Sequence, residues 1–106
     1  MVDPELDELK REFLTEAQEK VNEMLTALNG GRTASSLDRV AYIAHQLKGS
    51  GGSYGYQRIS SEAAEIEKVV ESAEGKPAAP DSVETEIQRH VDNLRDEIDR
   101  RTRELS

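Results

Sequence analysis

Residues 3–31 read DPELDELKREFLTEAQEKVNEMLTALNGG. Asp3 is a good helix cap, and Pro4 suits a first helical position, where an N–H would have no partner anyway. Glu5 adds negative charge beside the positive end of the helix dipole. Apolar residues then recur at Leu6, Leu9, Phe13, Ala17, Val21, Met24 and Leu28. That spacing of three and four predicts a helix with one buried face. Asn29-Gly30-Gly31 ends it, because both residue types tolerate the left-handed backbone of a helix stop.

Three more stretches follow the same period. A second helix is expected from Ser35 or Ser36, with Ser35 and Asp38 resembling a capping box and Val40, Ile43 and Leu47 facing inward. A third is expected from about Gln57 to Ala73, on Ile59, Ala63, Ile66, Val70 and Ala73. Gly75-Lys76-Pro77-Ala78-Ala79-Pro80 breaks the pattern as a linker. The fourth begins at Asp81, with Glu84 completing a capping box, and carries Val83, Ile87, Val91, Leu94, Ile98 and Leu105. Nothing alternates over a strand's length. The expectation is all-α: one domain over residues 1–106, folded as an antiparallel up-down four-helix bundle.

Composition narrows the function. The 22 acidic and 14 basic side chains leave a net charge of -8, which repels phosphate backbones and argues against nucleic-acid binding. With no cysteine there is no disulfide framework and no thiolate nucleophile or metal ligand, in keeping with a reducing cytoplasm. No apolar run reaches a membrane span, and the N-terminus is acidic where a signal peptide is basic. The expectation is a cytoplasmic protein with no membrane contact.

His45 stands out on the second helix. At about 100° per residue, Ile43 and Leu47 lie about 160° away from it, and Val40 is also on the far side. His45 therefore points outward, on a face shared with Asp38, Ala41, Tyr42, Lys48, Gly49 and Gly52. Most of these are small, so the imidazole stands clear for something bulky to dock. An outward histidine is commonly no more than a solvated polar residue, and His90, with no such companions and at the border of an apolar stripe, is read that way. Around His45 the glycines change the balance. Gly49, Gly51, Gly52 and Gly55 crowd together, each costing a helix about 1 kcal/mol relative to alanine. Either the helix ends at Lys48 and a loop follows, or it continues and the missing side chains admit another protein's backbone. A phosphate-gripping loop fits poorly, lacking both the Gly-Lys-Ser/Thr order and a preceding strand.

Ala44 to Tyr56, AHQLKGSGGSYGY, resembles the signature of histidine-phosphotransfer domains: His-x-Leu-Lys-Gly, then small residues and another glycine. RISSEAAEIE (58–67) is similar to the helix that follows in that family, which usually carries Glu or Gln twenty-two residues beyond the histidine, where this chain has Glu67. EFLTEAQEKVNEML (12–25) resembles the opening helix of the phosphotransfer domain of chemotaxis-type histidine kinases. The likeness covers most of residues 5–73; the fourth helix matches only in kind.

The resemblance implies that the second helix runs on to about Tyr54. It also implies that His45 accepts a phosphoryl group through Nε2 and exchanges it with a receiver-domain aspartate. Glu67 would accept a hydrogen bond from Nδ1–H and orient the ring. Lys48, one turn on, would offset charge on the phosphoryl oxygens. Gly49 and Gly52 would leave room for the partner; Tyr42, flanking the same face, is read either as a partner contact or as a snorkelling aromatic at the bundle edge. A histidine kinase and a response-regulator receiver are the implied partners, supplying the ATP site, the acceptor aspartate and its Mg²⁺. The chain has no ATP-binding motif and no receiver-type aspartate trio, so it is expected to be a monomeric phosphoryl carrier with no cofactor or metal of its own and no kinase activity. A non-phosphorylated helical adaptor, docking a partner through the same glycine-lined face, is the competing reading. The first helix and Glu67 lean towards a domain of a chemotaxis-type kinase, although such domains commonly carry a fifth helix.

Overall fold

All four expected helices form. The computed structural model describes residues 4–29, 34–73 and 81–105. They comprise α1 (Pro4–Asn29), α2 (Ala34–Ser53), α3 (Gln57–Ala73) and α4 (Asp81–Leu105), with no strand among the described residues. α1 packs on α2 and α4, and α3 packs on α2 and α4, so the helices form a ring with no diagonal contact among the described residues. Overall extents of 53 × 20 × 19 Å fit a rod two helices wide in each direction. Cross-helix bonds fix the directions: Arg39 meets Glu23, Lys48 meets Ser60 while His45 meets Glu67, and Arg58 meets Glu97 while His90 meets Glu62. For α1 and α2 the stack of Phe13 on Tyr54, just past the end of α2, supplies the second point. In each consecutive pair one number then rises as the other falls, so consecutive helices are antiparallel.

The apolar stripes meet on the axis. Phe13, Ala17, Val21, Met24 and Leu28 of α1 are buried against Val40, Ile43 and Leu47, the full expected stripe of α3, and Ile87, Val91, Leu94 and Ile98. Leu14 and Ala44 join them on the shoulders of their stripes. Leu6 and Leu9 do not: expected on the buried face, they are 42% and 48% exposed. The guanidinium of Arg11 already reaches the Leu105 carbonyl (2.7 Å) at the far end of α4. Leu6 and Leu9 belong to the turns of α1 before that point, near the end of the bundle, and remain largely exposed. Glu97 is the reverse case, a carboxylate only 5% exposed. Arg101 Nε donates to it at 2.7 Å and Arg58 lies 3.9 Å away, supplying the opposite charge that a buried carboxylate requires.

α2 begins at Ala34, so Ser35 lies inside its first turn and does not act as the expected cap. The caps proposed at Asp3 and the side chain of Asp81, together with the glycine stop at 30–31 and the linker at 75–80, lie outside the described residues. At its other end α2 passes through Gly49, Gly51 and Gly52 and stops at Ser53. Tyr56 N–H bonds to the Gly51 carbonyl (2.8 Å), Gly55 N–H bonds to the Gly52 carbonyl (3.1 Å), and Gly55 has a φ of 82°. This is a Schellman stop, and its left-handed residue is the one position here that needs glycine for its backbone. The Tyr56 carbonyl then accepts from Ser60 N–H, so α3 starts at once.

Three of the four aromatic rings clamp this turn. Phe13 stacks on Tyr54 and Tyr56, with centroids 5.0 and 5.9 Å away. Phe13→Ala removes the shared ring from a buried site, and the expected cost is roughly 3 kcal/mol or more. Urea unfolding followed by circular dichroism checks this: the midpoint falls, with the helical signal of the native baseline retained.

Candidate functional site

His45 projects from the middle of α2 opposite Val40, Ile43 and Leu47, all buried, and its side chain is 66% exposed. Its Nδ1 lies 2.9 Å from Oε2 of Glu67 on α3. The other carboxylate oxygen, Oε1, accepts from the Lys48 ammonium at 2.6 Å. One carboxylate, itself only 17% exposed, thus joins a histidine and a lysine one helical turn apart. The hydrogen bond from Lys48 is the main influence holding the Glu67 carboxyl below the usual carboxylate range; burial opposes it and the bond from His45 adds to it. An ionised Glu67 can only accept, so Nδ1 carries the proton in this bond, and in the neutral ring the lone pair is then on Nε2.

Lys48, expected to offset charge on phosphoryl oxygens, has its ammonium on Glu67 Oε1 in the unphosphorylated structure. Tyr42 is 58% exposed on the same face, and its hydroxyl accepts from Gln46 at 3.1 Å. The glycines separate into two kinds. A Cβ at Gly51 would come within 3.1 Å of both Ile59 Cγ2 and the Ser60 backbone nitrogen, so this residue is where α2 and α3 close on each other. A Cβ at Gly49 would meet nothing within 4 Å, and one at Gly52 only the Ser60 hydroxyl at 3.7 Å. Packing explains Gly51; at Gly49 and Gly52 it explains nothing, and both lie exposed on the His45 side of α2.

Residues 8–100 match the Hpt domain family, from the second turn of α1 to near the end of α4. The chain belongs to the Hpt domain family. No curated protein and no solved structure matches it significantly. Within this Hpt domain the two histidines differ sharply. His90 Nδ1 sits 2.6 Å from Glu62 Oε2, and both side chains are 15% exposed. That pair ties α4 to α3 and presents little of its ring to solvent, in line with a structural role.

The Lys48–Glu67 link has a pH consequence. Because the folded carboxyl titrates below its unfolded value, the stability Glu67 contributes is complete above the ordinary glutamate range and is lost as pH falls through the lower folded pKa. Lys48→Met removes the largest lowering influence. The Glu67 side-chain carboxyl, followed by ¹³C NMR, should titrate at higher pH in the variant than in the unmodified domain.

Proposed function

We propose that this Hpt domain is a phosphoryl carrier, accepting the group on His45 Nε2 from a histidine kinase and passing it to or from a receiver-domain aspartate. The observation that carries the reading is a single hydrogen bond: Nδ1 of an exposed imidazole held 2.9 Å from a carboxylate. It leaves Nε2 as the nucleophile and fixes the plane of the ring. In the forward step the Nε2 lone pair attacks phosphorus, a P–N bond forms, and the bond from phosphorus to the donor's leaving atom breaks. Positive charge develops on the ring while the Nδ1 proton stays on its bond to Glu67, so the carboxylate faces the charge as it appears. In the second step the receiver's carboxylate oxygen attacks phosphorus and the P–N bond breaks, returning the neutral ring. Phosphoryl transfer has a loose transition state, so alignment and electrostatics are the main contributions such a domain can make. The bare backbone at Gly49 and Gly52, beside exposed Tyr42, suits the close approach of a receiver. The chain's role in the cytoplasm belongs to this same proposal.

Labelling with a phosphodonor histidine kinase tests it. The unmodified domain should acquire acid-labile, alkali-stable phosphate, and His45→Gln should acquire none. Equal labelling of the two, or of neither, leaves the glycine-lined face as an adaptor surface. Glu67→Ala should label on the order of tenfold or more slowly while keeping its helical content, since it removes a charge-assisted bond worth about 1.5–3 kcal/mol. In Gly52→Leu, transfer to the receiver should slow more than the midpoint of unfolding falls.

A further inference from the structure

The geometry points to Ser60 as a positioning residue for His45, acting through the backbone of Lys48; its bearing on phosphoryl transfer rests on the carrier reading, whereas its effect on the ring does not. Ser60 lies in the first turns of α3, and its hydroxyl donates to the Lys48 carbonyl at 2.8 Å. A serine inside a helix commonly turns its hydroxyl back to the carbonyl four residues earlier. Here the hydroxyl crosses to the neighbouring helix instead. It can do so because the wall of α2 facing it is bare. Gly51 lies against the Ser60 backbone nitrogen, and a Cβ at Gly52 would stand 3.7 Å from the hydroxyl.

Lys48 is therefore held at both ends by one face of α3. Ser60 grips its carbonyl and Glu67, two turns further along the same face, grips its ammonium at 2.6 Å. Glu67 then reaches back to His45 at 2.9 Å. The four groups close a loop: α2 backbone, Ser60, α3 backbone, Glu67. Side-chain bonds alone leave α2 free to slide along α3, because a lysine and a glutamate can follow a shift by changing rotamer. A short hydroxyl bonded to a main-chain oxygen cannot. The Ser60 bond thus sets the axial register at which Glu67 Oε2 arrives opposite Nδ1 of His45.

The test compares Ser60→Ala and Ser60→Thr with the unmodified domain, read by ¹⁵N NMR of the His45 ring without any phosphodonor, and by labelling rate with a histidine kinase. Ser60→Ala should shift the two ring nitrogens away from the Nδ1–H tautomer towards a mixture and lower the labelling rate roughly threefold to tenfold, the effect of losing one buried hydrogen bond. Ser60→Thr, which keeps the hydroxyl, should restore both. Unchanged ring shifts and rate in Ser60→Ala overturn the proposal. So does a Ser60→Ala domain that unfolds earlier while its ring shifts stay those of the unmodified protein, the mark of a bond that only holds the bundle together. If the ring shifts move as stated but the unmodified domain takes no label, the positioning role stands and the carrier reading falls.

Discussion

The distance between α2 and α3 is set at position 51. With a side chain there, Ile59 Cγ2 and the Ser60 backbone nitrogen would both crowd a Cβ at 3.1 Å, and the interface would have to give by a few tenths of an ångström. Neither contact lies at the far end of a flexible chain, so the interface has little means of absorbing the intrusion locally. At the observed spacing a serine hydroxyl spans the gap to a main-chain carbonyl, and a glutamate on α3 reaches two side chains on α2. A wider interface lengthens all three bonds together, and hydrogen bonds weaken steeply past their usual length. The Schellman stop at Gly55 supports the same arrangement by reversing the chain in the fewest residues, which leaves α2 and α3 antiparallel from their first shared turn.

The charges at the site follow from that proximity. Glu67 is mostly covered, and an ionised carboxylate in such a place needs donors. Lys48 supplies the stronger bond and the neutralising charge, which leaves the second oxygen available to the imidazole. Without the lysine, the histidine would be the sole side-chain donor to a mostly covered carboxylate. With it, the carboxylate stays ionised and a neutral ring can keep its Nε2 lone pair. Lys48 thus acts on the carboxylate that holds the His45 ring.

Periodicity was enough to read the helices, their inward faces and the outward direction of His45, because each depends only on spacing along one helix. What it left open depends on how far helices extend and how closely they meet. Leu6 and Leu9 continue the stripe of α1 without fault, yet near the end of the bundle, before Arg11 meets the last turn of α4, they stay largely exposed. Glu97 reads as one more charge on an acidic and basic helix, but two arginines bring it into the interior. Gly51 and Gly52 are neighbours of identical chemistry in the sequence; only the position of α3 makes one a packing requirement and leaves the other open. Ser60 carried no signal beyond being small, since its partner is a backbone oxygen that any residue at position 48 would offer. Glu67 was legible solely through the family resemblance, there being no way to tell from one chain which glutamate of α3 faces α2 at the level of His45.

The two histidines show how one kind of hydrogen bond serves an exposed imidazole and a covered one. Both have Nδ1 bonded to a glutamate of α3, at 2.9 Å for His45 and 2.6 Å for His90, so the hydrogen bond that fixes the tautomer is common to both. The difference is access: the His45 side chain is 66% exposed and that of His90 is 15%. α4 brings His90 to the border of its apolar stripe, where the ring serves to join two helices. α2 turns His45 away from its stripe and follows it with residues that have no side chain to obstruct an approaching backbone. A histidine–carboxylate pair therefore fixes which ring nitrogen carries the proton, and the bare helix surface beside it leaves the ring open to approach. In this bundle the decisive investment lies in atoms that are absent: glycines inside a helix weaken it by about 1 kcal/mol each, and at positions 49 and 52 no packing contact offsets that loss. Stability given up at an exposed surface, next to an oriented imidazole, is the pattern expected where access to a site outweighs the strength of the helix that carries it.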